Sequence, residues 1–416
     1  MKKALIMFSM VLFGMCLVGC NNTLDGYKYK VKTKIDIDID SMKSSDYVLE
    51  NRDKITNVAR EYKLEIDNCT RIEDIDIIYS KCTKKLRGMM YSMVGEEKYT
   101  NGNGTEISPY VVDTVGKLIY FSNQINNGKD INAYFELGAD IDLEYIEWMP
   151  IGIFSDSCFN GVFDGNGYEI KNLTISKRYP HSDAENIGLF GYNTGMIKNL
   201  GITNIDIRMT WCNAEYELSV CVGGLVGYNM GCIENCYTIG NIDLEYTSGD
   251  NKCVQPAHIK TGGLVGPNGG KLNGCYSAVD VSVNYSGRHV VDVYAGGLAS
   301  YYKLYYGSSS SSHYDISNCF VTGSVSVEHS FISSYCEEFF ISATPVENCY
   351  VYNGQMSREK PEENGDYDYF CTTDELNDIN FYINKLGWNQ NVWNLEQLNF
   401  SNGKYLDDKY PKLNKK

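Results

Sequence analysis

The sequence predicts a mostly β chain wound as a parallel β-helix, a β-solenoid, with an N-terminal helical spacer or cap and a C-terminal cap. Three observations predict it. A short phrase returns four times: IGLFGYNTG at Ile187–Gly195, VGGLVGYNMG at Val222–Gly231, TGGLVGPNGG at Thr261–Gly270 and, more loosely, AGGLASYY at Ala295–Tyr302. Each is followed by a second phrase, IKNLGI from Ile197, IENCYTIG from Ile233, LNGCYSAV from Leu272 and ISNCFVTG from Ile316. The apolar runs are too short for helices and are bounded by Gly and Asn, which tolerate the left-handed backbone region. Leu189, Leu225, Leu264 and Leu298 mark units 36, 39 and 34 residues apart. One such unit cannot bury its own apolar face, but a stack can, with equivalent positions about 4.8 Å apart.

The elements follow in chain order. Lys2 and Lys3 precede an apolar run from Ala4 to Val18. This is the pattern of an export signal over residues 1–19, too short to span a membrane comfortably. The ending Leu17-Val18-Gly19-Cys20 resembles a bacterial lipobox, which implies that Cys20 carries the lipid. Residues 20–43 hold YKYKVKTKIDIDID, whose strict alternation predicts a strand over Tyr27–Asp40. Asp36, Asp38 and Asp40 share its polar face and lack the turn that wraps a calcium ion.

Residues 44–95 predict a helical hairpin. Val48, Ile55, Val58, Ala59 and Tyr62 form a stripe at helical spacing, and Thr70 with Glu73 makes a capping box for a second helix. That helix continues through Ile75, Ile78, Cys82 and Leu86 to Met89, Met90 and Met93, which read as packing. Residues 99–355 form the β-helix, opened by a short helix at Val115–Asn127 and strands at Phe135–Leu143 and Gly161–Ile175. Insertions at Asp243–Lys260 and Lys303–His313 read as loops. Residues 356–416, with Leu386, Trp388, Trp393 and Leu398, close the far end, whose unpaired edge needs cover.

The phrases GLFGYNTGMIKNLGI, GGLVGYNMGCIENCY and GGLVGPNGGKLNGCY resemble the GLUG-motif repeats of bacterial surface proteins, which also occur beside the catalytic region of some IgA-cleaving metallopeptidases. The likeness runs from about Tyr99 to the C-terminus. It marks Gly188, Leu189, Gly191, Gly224, Leu225, Gly227, Gly263, Leu264 and Gly266 as structural motif positions. The fourth unit departs from the motif, with Ala299-Ser300 in place of Val-Gly. The resemblance specifies a repeat type and is nearly silent about activity.

Charge and cysteine usage narrow the function. The net charge is −16, and Ser182–Ser300 holds six Lys/Arg against eleven Asp/Glu, so nucleic acid is not an expected partner. Of fifteen cysteines, Cys236, Cys275, Cys319 and Cys349 share one slot, which Leu173 and Leu200 fill in other units. A slot that alternates Leu with Cys reads as an inward-facing core position, a ladder of free thiols. Cys232 and Cys236, with Cys212, Cys221 and Cys253 nearby, lack the paired spacing of a zinc site, so no metal or cofactor is expected. Cys69 and Cys82 are the disulfide candidates.

Catalytic patterns are sparse. None of the five histidines begins an HExxH, and no nucleophile elbow, phosphate loop or dinucleotide fingerprint is present. Paired carboxylates do not recur on the outward parity of the repeats, as a glycoside hydrolase would need. The expectation is a non-catalytic, lipid-anchored protein facing the cell surface. It would be held to the membrane by its N-terminal lipid and would act in adhesion or recognition of a host, matrix or glycan ligand. Tyr301, Tyr302, Tyr305 and Tyr306 form an aromatic cluster that suits such a role. The alternatives are a β-helix polysaccharide lyase or glycoside hydrolase, and a purely structural envelope protein.

Overall fold

The computed structural model describes residues 24–42, 46–86, 96–179, 185–212, 218–247, 257–286, 291–300, 315–329, 335–336, 346–352 and 370–416, apart from residues 73, 76, 80, 83, 84, 144, 145 and 154. Cys20 and the signal segment, Met89, Met90 and Met93, the Lys303–His313 insertion and the Tyr301–Tyr306 cluster lie outside the described residues. The chain divides into two compact units, Met1–Val94 with Glu144–Glu147, and Gly95–Leu143 with Trp148–Lys416.

The first unit corrects one expectation. Leu24–Met42 is an α-helix, not a strand. Alternation over this segment contains a spacing of four: Tyr27, Val31 and Ile35 share parity and also share one helix face. Val31 and Ile35 are buried, whereas Tyr29, from the same parity, is exposed. Lys32 pairs with Asp67 and Lys63 with Asp36, fastening this helix to the next, Asp46–Asp67. Ile55 and Ala59 of the second helix are buried, and the described residues from 72 to 86 are helical around buried Ile75, Cys82 and Leu86. Cys69 and Cys82, the disulfide candidates, are both buried and are not joined in a disulfide. No described helix is long and apolar enough to cross a membrane.

The second unit is mostly β and is dominated by parallel pairing. Successive units of the sequence contribute strands to three sheets in the same order. One unit supplies Leu218–Gly223, Val226–Asn229 and Cys232–Thr247; the next supplies Ala257–Gly262, Val265–Pro267 and Lys271–Asn273 with Tyr276–Ser286. Equivalent residues pair across units, which builds straight columns of buried side chains. Ile187, Val222, Thr261 and Ala295 form one, and Phe190, Val226, Val265 and Ala299 another. In the largest sheet the column is Phe135, Phe163, Ile197, Ile233, Leu272 and Ile316. The helix Val115–Asn126, capped by the Thr114 hydroxyl, packs Phe121 against Phe135, Phe163 and Phe190.

Two details differ from the simple strand pattern. Parity along IENCYTIG is not continuous, because Asn235 takes a left-handed backbone (φ 50°) and resets it. Cys236 and Thr238 turn to the core, while Tyr237 packs outward against Trp393 and Tyr410. The motif glycines also work differently from expectation: Gly188, Gly191, Gly224, Gly227, Gly263 and Gly266 do not have positive φ. They are glycine for want of room, since a Cβ on Gly227 would sit 2.3 Å from the Ile187 nitrogen and one on Gly266 would sit 2.2 Å from the Gly227 oxygen.

The C-terminal segment does more than close an end. Phe370–Cys371 adds a last parallel strand beside Tyr350–Tyr352. The chain then returns along the outer face of the largest sheet, forming the hairpin pairs Trp393–Asn394 with Lys412–Leu413 and Phe400–Ser401 with Lys404–Tyr405. Its aromatic residues cover the column Tyr237, Tyr276 and Phe320, whose rings stack 5.0 and 4.8 Å apart. Trp388 and Trp393 stack on one another at 4.0 Å within the same cluster. This strap reaches as far as Asp140 and Asp164 through Lys415 and Lys416.

Candidate functional site

The sequence-predicted motif residues lie in the interior scaffold. Leu189, Leu225, Leu264 and Leu298 are fully buried, and Leu225 and Leu264 donate backbone hydrogen bonds to the leucine of the following unit. Leu200 is in register with Cys236, and Cys236, Cys275, Cys319 and Cys349 are free and buried, each behind the residue at its own corner. Burial drives the Cys236 and Cys319 thiols well above the ordinary range, which makes them poor nucleophiles. Among the described residues no group of three or more His, Cys, Asp or Glu could hold a metal ion. None of these positions meets solvent.

Beside the thiols runs a feature that hydrophobic pattern alone does not reveal. Asn199, Asn235, Asn318 and Asn348 all adopt φ of 50–58°, and Gly274 takes the same slot at 65°. Their amides join adjacent units: Asn235 donates to Asn199, and Asn199 to Asp164; Asn348 donates to Asn318, and Asn318 to Asn273. A second, fully buried line connects Asn193, Asn229 and Asn268 through amide bonds of 2.8 and 2.7 Å. Each of these three also receives the N–H of the glycine two residues on, in the phrases YNTG, YNMG and PNGG. Buried amides satisfied in this way fix the register of the stack.

The functional groups that do converge lie where the strap crosses the sheet. A groove of about 400 Å³ opens between the Ile239–Asn241 and Ala278–Asp280 strand segments and the Gly403–Lys412 part of the strap. Its charged lining is Glu169, Lys171, Asp280, Lys404, Asp408 and Lys412. Glu169 is nearly buried, its side chain only 8% exposed. One of its oxygens accepts from the Tyr237 hydroxyl at 2.6 Å and the Tyr410 hydroxyl at 2.8 Å, and the other meets Lys171 Nζ at 3.1 Å. Asp280 accepts from the Ser324 N–H at 2.9 Å and its hydroxyl at 2.7 Å, and pairs with Lys404 at 3.1 Å.

These contacts bias the charge states. Burial alone would raise the Glu169 carboxyl, but hydrogen bonds from Tyr237, Tyr410 and Lys171, with the lysine charge, outweigh it and hold the group below its usual range. Asp280 is depressed in the same way, burial being outweighed by Ser324 and Lys404. Burial and the neighbouring Glu169 push the Tyr237 and Tyr410 hydroxyls upward, so both remain protonated donors. A general acid needs a raised carboxyl with a free oxygen near the reacting bond. Neither carboxylate meets that description.

Sequence reasoning missed this groove for a definite reason. Glu169 and Tyr410 are 241 residues apart, and neither belongs to a repeated phrase. The one available signal was the lysine-rich end, with Lys404, Lys409, Lys412, Lys415 and Lys416 in an otherwise acidic chain.

Comparison with known proteins gives partial matches. No family model matches the chain. A stretch of 157 residues is 32% identical to a "Putative Gly-rich membrane protein" of Evansella cellulosilytica, covering 35% of this chain and 16% of that protein. Another of 156 residues is 29% identical to "Halomucin" of Haloquadratum walsbyi, covering 34% of this chain and 2% of that protein. The chain therefore spans about a sixth or less of these relatives' own length. A crystal structure described as a "putative immunoglobulin A1 protease from Bacteroides ovatus" aligns with 76% of this chain and 95% of its own, at 18% identity and a TM-score of 0.44.

Proposed function

We propose that this chain is a lipid-anchored, surface-facing parallel β-helix protein of the GLUG-repeat kind that recognises a ligand and does not catalyse. The observation that carries the non-catalytic reading is the state of the groove. Each oxygen of Glu169 and Asp280 is tied by tyrosine, serine or lysine donors, which supports a role in building the groove wall. The winding is supported by the repeated order of strands through three parallel sheets, and the surface location by the lipobox ending at Cys20. The membrane protein of Evansella cellulosilytica is in keeping with that location.

The rival reading is a carbohydrate-active enzyme, favoured by the presence of two carboxylates in one groove. A glycan panel assayed for both binding and cleavage separates the two. Binding without product is expected, and a defined cleavage product that disappears in Glu169→Gln or Asp280→Asn would overturn the proposal. For the anchor, Cys20→Ala is expected to release the protein from the membrane fraction, and unchanged retention would refute lipidation.

A further inference from the structure

The sheet side of the groove turns its negative charge inward. All the oxygens of Glu169 and Asp280 are engaged by protein donors, while Asp408, at a left-handed turn of the strap, lines the groove as an exposed carboxyl. The lysines stand the other way. Lys404 is 68% exposed and commits one contact to Asp280, out of the three donors an ammonium carries. Lys412 lies with Nζ 4.5 Å over the ring of Tyr410, at the strap edge of the groove. Between these cations and the sheet the lining holds Lys171, already paired with Glu169, the apolar Ile239 and Ala278, and the exposed Asn204 and Asn241 beside Thr203. The volume, about 400 Å³, is that of a small-ligand site.

We propose that the groove takes a sugar unit bearing a single carboxylate, of the uronic- or sialic-acid kind. Lys404 and Lys412 receive the carboxylate, and Asn204 and Asn241 receive ring hydroxyls. This rests on the groove being the recognition site. The chain's net charge of −16 selects against polyanions, whose many charges feel the whole surface, whereas one carboxylate feels chiefly the two lysines within reach.

The test is calorimetric titration of the full chain with disaccharides ending in glucuronic acid or sialic acid, their methyl esters, and a neutral glucose-terminated analogue. At least one acid is expected to bind about tenfold more tightly than its ester, the scale of one charge-assisted hydrogen bond. Lys412→Ala should remove that difference and Lys412→Arg should restore it, while tryptophan fluorescence confirms that the strap remains seated. Acids, esters and the neutral sugar binding alike would overturn the charge inference and leave glycan recognition standing. Binding of none of them would overturn both.

Discussion

Removing the Glu169 carboxylate should loosen the strap while leaving the stacked sheets intact. In Glu169→Ala the hydroxyls of Tyr237 and Tyr410, at 2.6 and 2.8 Å from the carboxylate in the native protein, lose their acceptor, and Lys171 loses its partner at 3.1 Å. Hydrogen bonds to a charged group contribute about 1.5–3 kcal/mol each, so the two tyrosines together represent about 3–6 kcal/mol. Lys171 is more than one-third exposed, and its share is small once solvent screening is counted. Trp388 and Trp393 lie in the core cluster between strap and sheet and report the change directly. In a urea titration followed by tryptophan fluorescence, the strap transition should move to lower denaturant by that energy. The far-ultraviolet signal of the parallel sheets should follow later. Glu169→Gln, which retains an acceptor, should recover part of the loss. If Glu169→Ala unfolds at the native midpoint with native fluorescence, the carboxylate is not what holds the strap and the reasoning fails.

Three further outcomes are expected. Asp140, Asp164, Glu169 and Asp280 are all held below their ordinary range, burial being outweighed by bonds from Asn199, Tyr237 and Ser324 of the stack and from Lys415, Lys416, Tyr410 and Lys404 of the strap. Their contribution is therefore present above the unfolded carboxylate range, about pH 4, and is lost as pH falls through the lower folded values. A fluorescence pH titration should show the strap loosening only below about pH 4, and loosening near neutrality would contradict the assignment. Asn229→Ala removes a buried amide with four hydrogen bonds and should cost about 2–5 kcal/mol by denaturant midpoint, against a few tenths for Asn241→Ala on the surface. Gly266→Ala places a Cβ 2.2 Å from the Gly227 oxygen, so a loss of about 3 kcal/mol or more is expected; a native melting temperature would show that the units can spread.

The sequence revealed the repeat, and with it the mostly β character and the large parallel sheet, because equivalent residues in a stack must be alike. Leu189, Leu225, Leu264 and Leu298 share one buried environment and hence one identity. Alternation misled at Tyr27–Asp40, where a spacing of four satisfies strand and helix together and the ion pairs with the next helix were invisible. Glycine was read as conformational freedom where contact distance was the cause, and asparagine carried most of the left-handed corners. The groove was not legible because it joins Glu169 and Asp280 of the stack to Lys404 and Tyr410 of the strap, residues no periodicity connects.

The amide ladders have a beginning of their own. Asn235 donates to Asn199, which donates to Asp164; Asn204 donates to Asn172, which donates to Asp142. Both lines run back toward the N-terminal side and finish on an aspartate, a side chain with no N–H group to pass the line onward. An aspartate at the foot of each ladder is thus a terminator. A further unit spliced in beyond Asn235 could join the line by offering another amide, whereas one spliced in before Asp142 would meet a residue with nothing to pass on. The side-chain lines therefore end at these two aspartates, while the backbone pairing continues past Asp164 to Glu136 and Val111.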